Sequence, residues 1–146
     1  MLDVRPSPIA GTWYEGNARN LARVVDEYLN NAQLPALDGE VVAVIAPHAG
    51  HRYSGAVAGF GFATVRNLQF SLVVVISPFH NVSNYPLLTT AHDAYGTPLG
   101  NLEVDKSALA ELSSHLDIPI TPVFADKDHS LEIELPFLQR ALTGEF

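Results

Sequence analysis

Two short runs of mostly β-branched apolar residues constrain this chain more than anything else in it: Val41-Val42-Ala43-Val44-Ile45 and Leu72-Val73-Val74-Val75-Ile76. Unbroken runs of this length and composition read as strands buried on both faces. Between them, residues 54–65 are small and apolar almost all round and carry Gly55, Gly59 and Gly61. Those glycines cost helix propensity but let a helix approach a sheet closely. Strand, helix, strand in this order implies a right-handed crossover and parallel pairing. The expectation is an α/β fold: a doubly wound, mostly parallel sheet with helices on both faces and Val74 in its core. A chain with 47% hydrophobic and 16% charged residues fits that reading, and its 146 residues suit one domain spanning 1–146.

Other elements are legible around this frame. Arg5 to Gly16 reads as an irregular arm. Asn17 can cap a helix in which Leu21, Val24, Val25, Tyr28 and Leu29 recur at helical spacing. Leu87 to Thr90 and Pro119 to Phe124 read as strands, and Tyr95 to Gly100 as a turn. Asp105 caps a helix with Leu109, Leu112 and Leu116 inward. Ser130 to Leu142 reads as a helix kinked at Pro136, which lacks an N–H.

Composition excludes several function classes. Sixteen acidic against eight basic residues give a net charge of −8, with no basic stripe for a phosphate backbone. The chain has no cysteine, so a metal here must be held by histidine, carboxylate or water. Residues 1–6 lack a signal peptide's apolar core, and no apolar run approaches the roughly 18 residues of a membrane span. A cytoplasmic protein with no nucleic-acid or membrane partner is expected.

The chemistry concentrates in histidines. In parallel α/β sheets, ligands bind outside the carboxyl ends of the strands. His48 lies three residues beyond Ile45 and His80 four beyond Ile76, so both belong to one sheet edge and one crevice as candidate metal ligands. A lone histidine after a strand is an ordinary loop residue; two at equivalent exits are a stronger signal. Asp126-Lys127-Asp128-His129-Ser130-Leu131-Glu132 reads either as a solvated cap, with Ser130 or Asp128 capping, or as a polar hand over the crevice. In the second reading His129 is the acid/base group and Glu132 holds its imidazole. Trp13, His51 and Tyr53 are the candidate substrate contacts, with Trp13 contributing only if the arm folds over the crevice.

Five blocks then resemble the MEMO family: Gly11-Thr12-Trp13-Tyr14, Ala46-Pro47-His48-Ala49-Gly50, Ser77-Pro78-Phe79-His80-Asn81, Thr97-Pro98-Leu99-Gly100, and Asp128-His129-Ser130-Leu131-Glu132 with Leu135-Pro136-Phe137. They occur in family order and span nearly the whole chain, matching the family's N-terminal half. The resemblance implies a fold like that of class III extradiol dioxygenases, which use non-haem iron at a strand-end crevice. It further implies that His48 and His80 are metal-binding and that His129 is a third histidine near them. Phe79 and Asn81 depart from the family's usual residues beside His80. The resemblance puts the remaining metal ligand in the family's later half.

Three readings follow. The first is a remnant or partial non-haem metal site with redox, dioxygenase-like chemistry, iron being the first choice of divalent metal and zinc or copper the alternatives. The second is a non-catalytic module binding a peptide or anion in the same crevice. The third is a zinc-type hydrolase. A small-molecule or peptide ligand is expected in each. A homo-oligomer is also expected, because the unfilled space of a half-length fold leaves apolar surface to cover.

Overall fold

The computed structural model describes residues 1–144 and 146. Asn17 caps α1 (Ala18–Asn31) as its side chain accepts from the Asn20 amide at 3.1 Å. The helix turns Leu21, Val25 and Leu29 fully inward. Helix α2 (His51–Ala63) lies against it. The glycines of α2 explain how closely: a Cβ at Gly59 would sit 2.7 Å from the Tyr28 carbonyl oxygen, and one at Gly61 would sit 2.8 Å from a Val44 methyl. The small residues thus serve a helix–helix contact as well as the expected contact with the first apolar run. Phe137 of α4 (Leu135–Ala141) completes this core, its ring stacked on Phe62 at 5.2 Å.

Strands form two small sheets. In the first, β1 (Val4–Arg5) pairs parallel with β3 (Ala94–Thr97), which pairs antiparallel with β4 (Gly100–Glu103). In the second, β2 (Leu87–Thr90) pairs parallel with β5 (Ile120–Val123). The architecture is therefore mixed α/β. The arm expected to be irregular contributes Arg5 to β1, and the stretch expected to be only a turn contains most of β3 and the start of β4. Asp105 caps α3 (Lys106–His115) as expected, but that helix buries no residue and Leu112 is exposed. Pro136 does not kink a helix. A 3₁₀ turn (Glu132–Glu134) precedes it, and α4 begins there, where a missing N–H leaves no bond unmade.

The two apolar runs depart most from expectation. Residues 72–80 alternate between half-buried and exposed, the signature of an extended chain with one face inward. Yet no backbone group of residues 41–46 or 72–77 is bonded to another backbone group among the described residues. Their outer side chains are bare: Val42 is 96%, Ile45 99% and Val74 68% exposed. The expected burial of both strands on both faces, with Val74 in the core, is thus corrected. A β-branched run encodes a strand, but a ladder also requires a neighbour, and none is bonded here.

Candidate metal centre

Each apolar run ends by delivering one histidine. The turn after Ile45 carries His48 and feeds α2, whose first amide, that of His51, donates to the Trp13 carbonyl oxygen at 2.9 Å. Gly50 permits this approach, since a Cβ there would lie 3.2 Å from the same oxygen. The second run ends at His80, and the loop before the 3₁₀ turn supplies His129. The His48 and His80 rings lie 5.3 Å apart, His48 and His129 6.0 Å, and His80 and His129 4.6 Å with nearly parallel planes. One ring nitrogen from each of the three falls within 4.8 Å of the others. His48 and His80 lie together as expected and His129 joins them, although the runs that carry the first two form no bonded sheet edge among the described residues.

Asp128 fixes one of these rings. The His80 amide donates to Asp128 Oδ2 at 2.6 Å, and His80 Nδ1 lies 3.2 Å from both carboxylate oxygens. An ionised carboxylate only accepts, so Nδ1 carries the proton and Nε2 keeps its lone pair. Burial by itself would raise the Asp128 pKa, but the amides of Ser130 and His80 outweigh it and hold the carboxyl well below the usual range. His129 is held below the ordinary imidazole value by burial, opposed by Asp128 and reinforced by the neighbouring His80 and His48. Burial and the neighbouring rings thus favour a neutral His129, the form of imidazole that binds metal.

The loop carrying Asp128 and His129 is held from two sides. Ser130 Oγ donates to the Pro78 carbonyl and lies 3.1 Å from the Ser77 hydroxyl, tying the loop to the extended run that bears His80. Arg5, itself buried, donates Nη2 to the Asp128 carbonyl at 2.7 Å, Nε to the Asp126 carbonyl at 3.2 Å and Nη1 to Glu132 at 2.5 Å. The other Glu132 oxygen accepts from Tyr14 at 2.7 Å and from Ser7. Glu132 is therefore fully buried in a structural network and does not hold the His129 imidazole, as the sequence had suggested. With no exposed surface and its oxygens engaged by Arg5, Tyr14 and Ser7, this carboxylate is closed to a ligand in the crevice.

The three expected substrate contacts separate. Trp13 does fold over the crevice, its ring centred 4.0 Å from that of His129. Tyr53 stands 82% exposed on α2 and makes no hydrogen bond or aromatic contact with the cluster among the described residues. His51 is in the core instead: Nε2 meets the Ile133 carbonyl at 3.0 Å, the ring packs 4.9 Å from Phe137, and burial lowers its pKa. Helix α2 is small and apolar almost all round, so no periodicity marked which of its faces would be buried. Sequence reasoning missed Asp128 and Arg5 as positioning residues. The adjacency of Asp128 to His129 was a usable hint; nothing local to Arg5 was.

Against this geometry the comparisons are specific. The profile of the family described as Memo-like protein matches residues 5–146. A protein memo-1 homolog from Caenorhabditis elegans is 34% identical over 140 residues, covering 94% of this chain and 39% of the relative. A MEMO1 family protein from Pyrobaculum aerophilum is 31% identical over 146 residues, covering 94% and 52%. One from Saccharomyces cerevisiae is 30% identical over 152 residues, covering 97% and 45%. The chain thus spans about half the length of the curated relatives it matches.

Proposed function

Since the chain belongs to the Memo-like protein family, we propose that it is a metal protein in which His48, His80 and His129 hold one divalent ion and leave positions open for a small molecule with oxygen donors. The chemistry we assign is dioxygenase-like on iron, in a crevice of the class III extradiol type. One observation carries the reading: three imidazoles from three separate segments, each with a ring nitrogen within 4.8 Å of the others. Three protein ligands with an open position are the usual constitution of a catalytic site, and imidazole suits iron, copper and zinc alike. When bound, such an ion supplies Lewis acidity and, for iron, a redox partner for dioxygen.

The residues' own contributions follow from their contacts. Asp128 orients His80 and keeps its proton on Nδ1, which leaves Nε2 as donor. His129 serves as the third nitrogen, a role better supported than proton transfer because its ring is stacked within the set. Trp13 shields the His129 side and offers an aromatic wall to a flat substrate. Arg5 and Ser130 hold the loop against the strand exit, so the three nitrogens are positioned before any ligand arrives.

The donor set supports one second reading. No carboxylate joins the three histidines as a candidate ligand among the described residues, and an all-imidazole set also matches a zinc site that activates water. Metal analysis of protein purified without chelator, paired with oxygen uptake on catechols and turnover of activated esters, separates the two. Stoichiometric iron with uptake is expected, and zinc with ester turnover would transfer the assignment to the hydrolase. His48→Ala, His80→Ala and His129→Ala should each empty the site. Full occupancy in any of them would remove that residue from the ligand set, and absence of metal from the parent chain would end both readings.

A further inference from the structure

The cover of the crevice and its histidine loop are fastened to one carboxylate, that of Glu132, which solvent does not reach. Its two oxygens serve different segments. Oε2 accepts from Arg5 Nη1 at 2.5 Å, and Arg5 in turn holds the Asp128 carbonyl. Oε1 accepts from the N-terminal arm, from Tyr14 at 2.7 Å and from Ser7. Each hydroxyl has one proton to give, and both are spent on this oxygen although the hydroxyls lie 3.0 Å from each other. Ser7 Oγ also accepts from the amides of Ile9 and Ala10, at 3.3 and 2.8 Å, and the Gly11 amide donates to the Tyr14 carbonyl at 2.8 Å. The arm is thus folded on itself and fastened at Glu132, with Trp13 next to the fastening.

Trp13 lies on His129 with ring centres 4.0 Å apart and planes 36° from parallel. His129 precedes Glu132 by three residues, and its carbonyl accepts from the Ile133 amide at 2.9 Å, which winds the histidine and the carboxylate into one turn. The Tyr14 ring is buried 5.5 Å from the His51 ring, while the His51 amide holds the Trp13 carbonyl. Tyr14 therefore packs on the core with its ring and grips the histidine loop with its hydroxyl. These are separable roles, because the ring fills its space with or without the hydroxyl.

We propose that Tyr14 is a positioning residue: its hydroxyl, through Glu132, seats Trp13 on His129 and couples that seating to metal binding by the three histidines. The coupling rests on the metal reading of those histidines; the seating does not. A site complete in only a fraction of the molecules binds with an apparent affinity reduced by that fraction. Cutting the Tyr14–Glu132 bond frees the arm from the loop, so molecules with Trp13 displaced and His129 less firmly placed become populated. Arg5 and Ser7 still donate to the carboxylate, so the buried charge is not stranded and the fold survives the cut.

The test uses the intact chain, zinc(II) as the probe and Trp13, the one tryptophan of the sequence, as the reporter. Calorimetry reads zinc affinity and acrylamide quenching reads the exposure of the indole; only the zinc binding that His80→Ala removes is counted. In the parent chain zinc should lower the quenching. Tyr14→Phe should raise quenching in the metal-free chain, weaken zinc binding about fivefold or more, as a coupling of ordinary size requires, and shrink the protection that zinc gives. Ser7→Ala, which takes the other hydroxyl from the same oxygen, should act in the same direction. Asp26→Ala, which breaks the Arg140 pair between α1 and α4, measures a merely structural loss. It should lower the melting temperature and leave quenching and zinc affinity as they were. Unchanged quenching and affinity in Tyr14→Phe would overturn the proposal, and so would equal losses in Asp26→Ala. A parent chain with no zinc binding of the counted kind would end the metal reading and the coupling with it, while quenching of the metal-free Tyr14→Phe chain still decides the seating.

Discussion

The α1–α2–α4 core and the two extended runs are both apolar, yet they stand at opposite ends of the burial scale. Leu21, Val25 and Phe137 are sealed from solvent, whereas Val42, Ile45 and Ile76 are almost wholly open to it. The difference lies in how each kind of element satisfies its backbone. A helix bonds its own amides and needs a neighbour only for its apolar face. A strand needs a neighbour for its amides as well. The same degree of hydrophobicity therefore yields finished structure in the first region and an open edge in the second.

The largest predicted effect probes the finished region. Phe137→Ala should destabilise by about 3–5 kcal/mol, because the ring fills the space between Phe62, Tyr28 and His51 and leaves a cavity. Chemical denaturation measures this; a loss under 1 kcal/mol would place the core elsewhere. Glu134 stands where the two regions meet, and it makes stability depend on pH. Burial raises its pKa from the model-compound 4.5 to about 7. The native state therefore holds a proton that the unfolded chain has released, so stability should fall as pH rises from about 4.5 to 7, by about 3 kcal/mol across that window. Glu134→Gln should flatten this part of the profile, and an unchanged slope would show that another group is responsible.

Asp128→Asn tests the site without attacking either region. The amide oxygen can replace only one of the two carboxylate oxygens that accept from the Ser130 and His80 backbones, and it no longer presents a charge to the His80 ring. Metal affinity should drop about 10–100-fold, with a loss of stability of about 1 kcal/mol from the one backbone bond given up. Equal loss of both would make Asp128 a folding residue first. The smallest effect sharpens the contrast directly. Val74→Ala should cost under about 0.5 kcal/mol in the free chain, as exposed substitutions do. A cost like that of Phe137→Ala would mean that the second run is buried in solution.

What could be read from sequence follows the same division. Helix α1, its Asn17 cap, α3 with its Asp105 cap, and strands β2 and β5 depend on local pattern, and local pattern found them. The meeting of His48 and His80 was legible because each follows an extended apolar run on either side of α2, even though the two runs form no bonded sheet among the described residues. Four things were not legible. The bareness of the two runs depends on an absent neighbour. The burial of His51 depends on which helix face meets Phe137. The diversion of Glu132 to Arg5 joins residues 127 positions apart. Strand β1 is only two residues long, with no periodicity to read.

That Arg5–Glu132 pair has a consequence for the order in which the molecule is made. Arg5 is synthesised 121 and 127 residues ahead of the groups that neutralise it, Asp126 and Glu132. Until they emerge the guanidinium must remain hydrated, so the N-terminal arm cannot settle into its final place. Helices α1 and α2 can form and pair meanwhile through contacts close in sequence, which are the fast ones. Strand β1, the Trp13 cover and the histidine loop then close together as a late, long-range step. The crevice is therefore finished only when residues 126–132 reach the N-terminal arm, and the helix that follows them brings Phe137 to complete the core in the same late step.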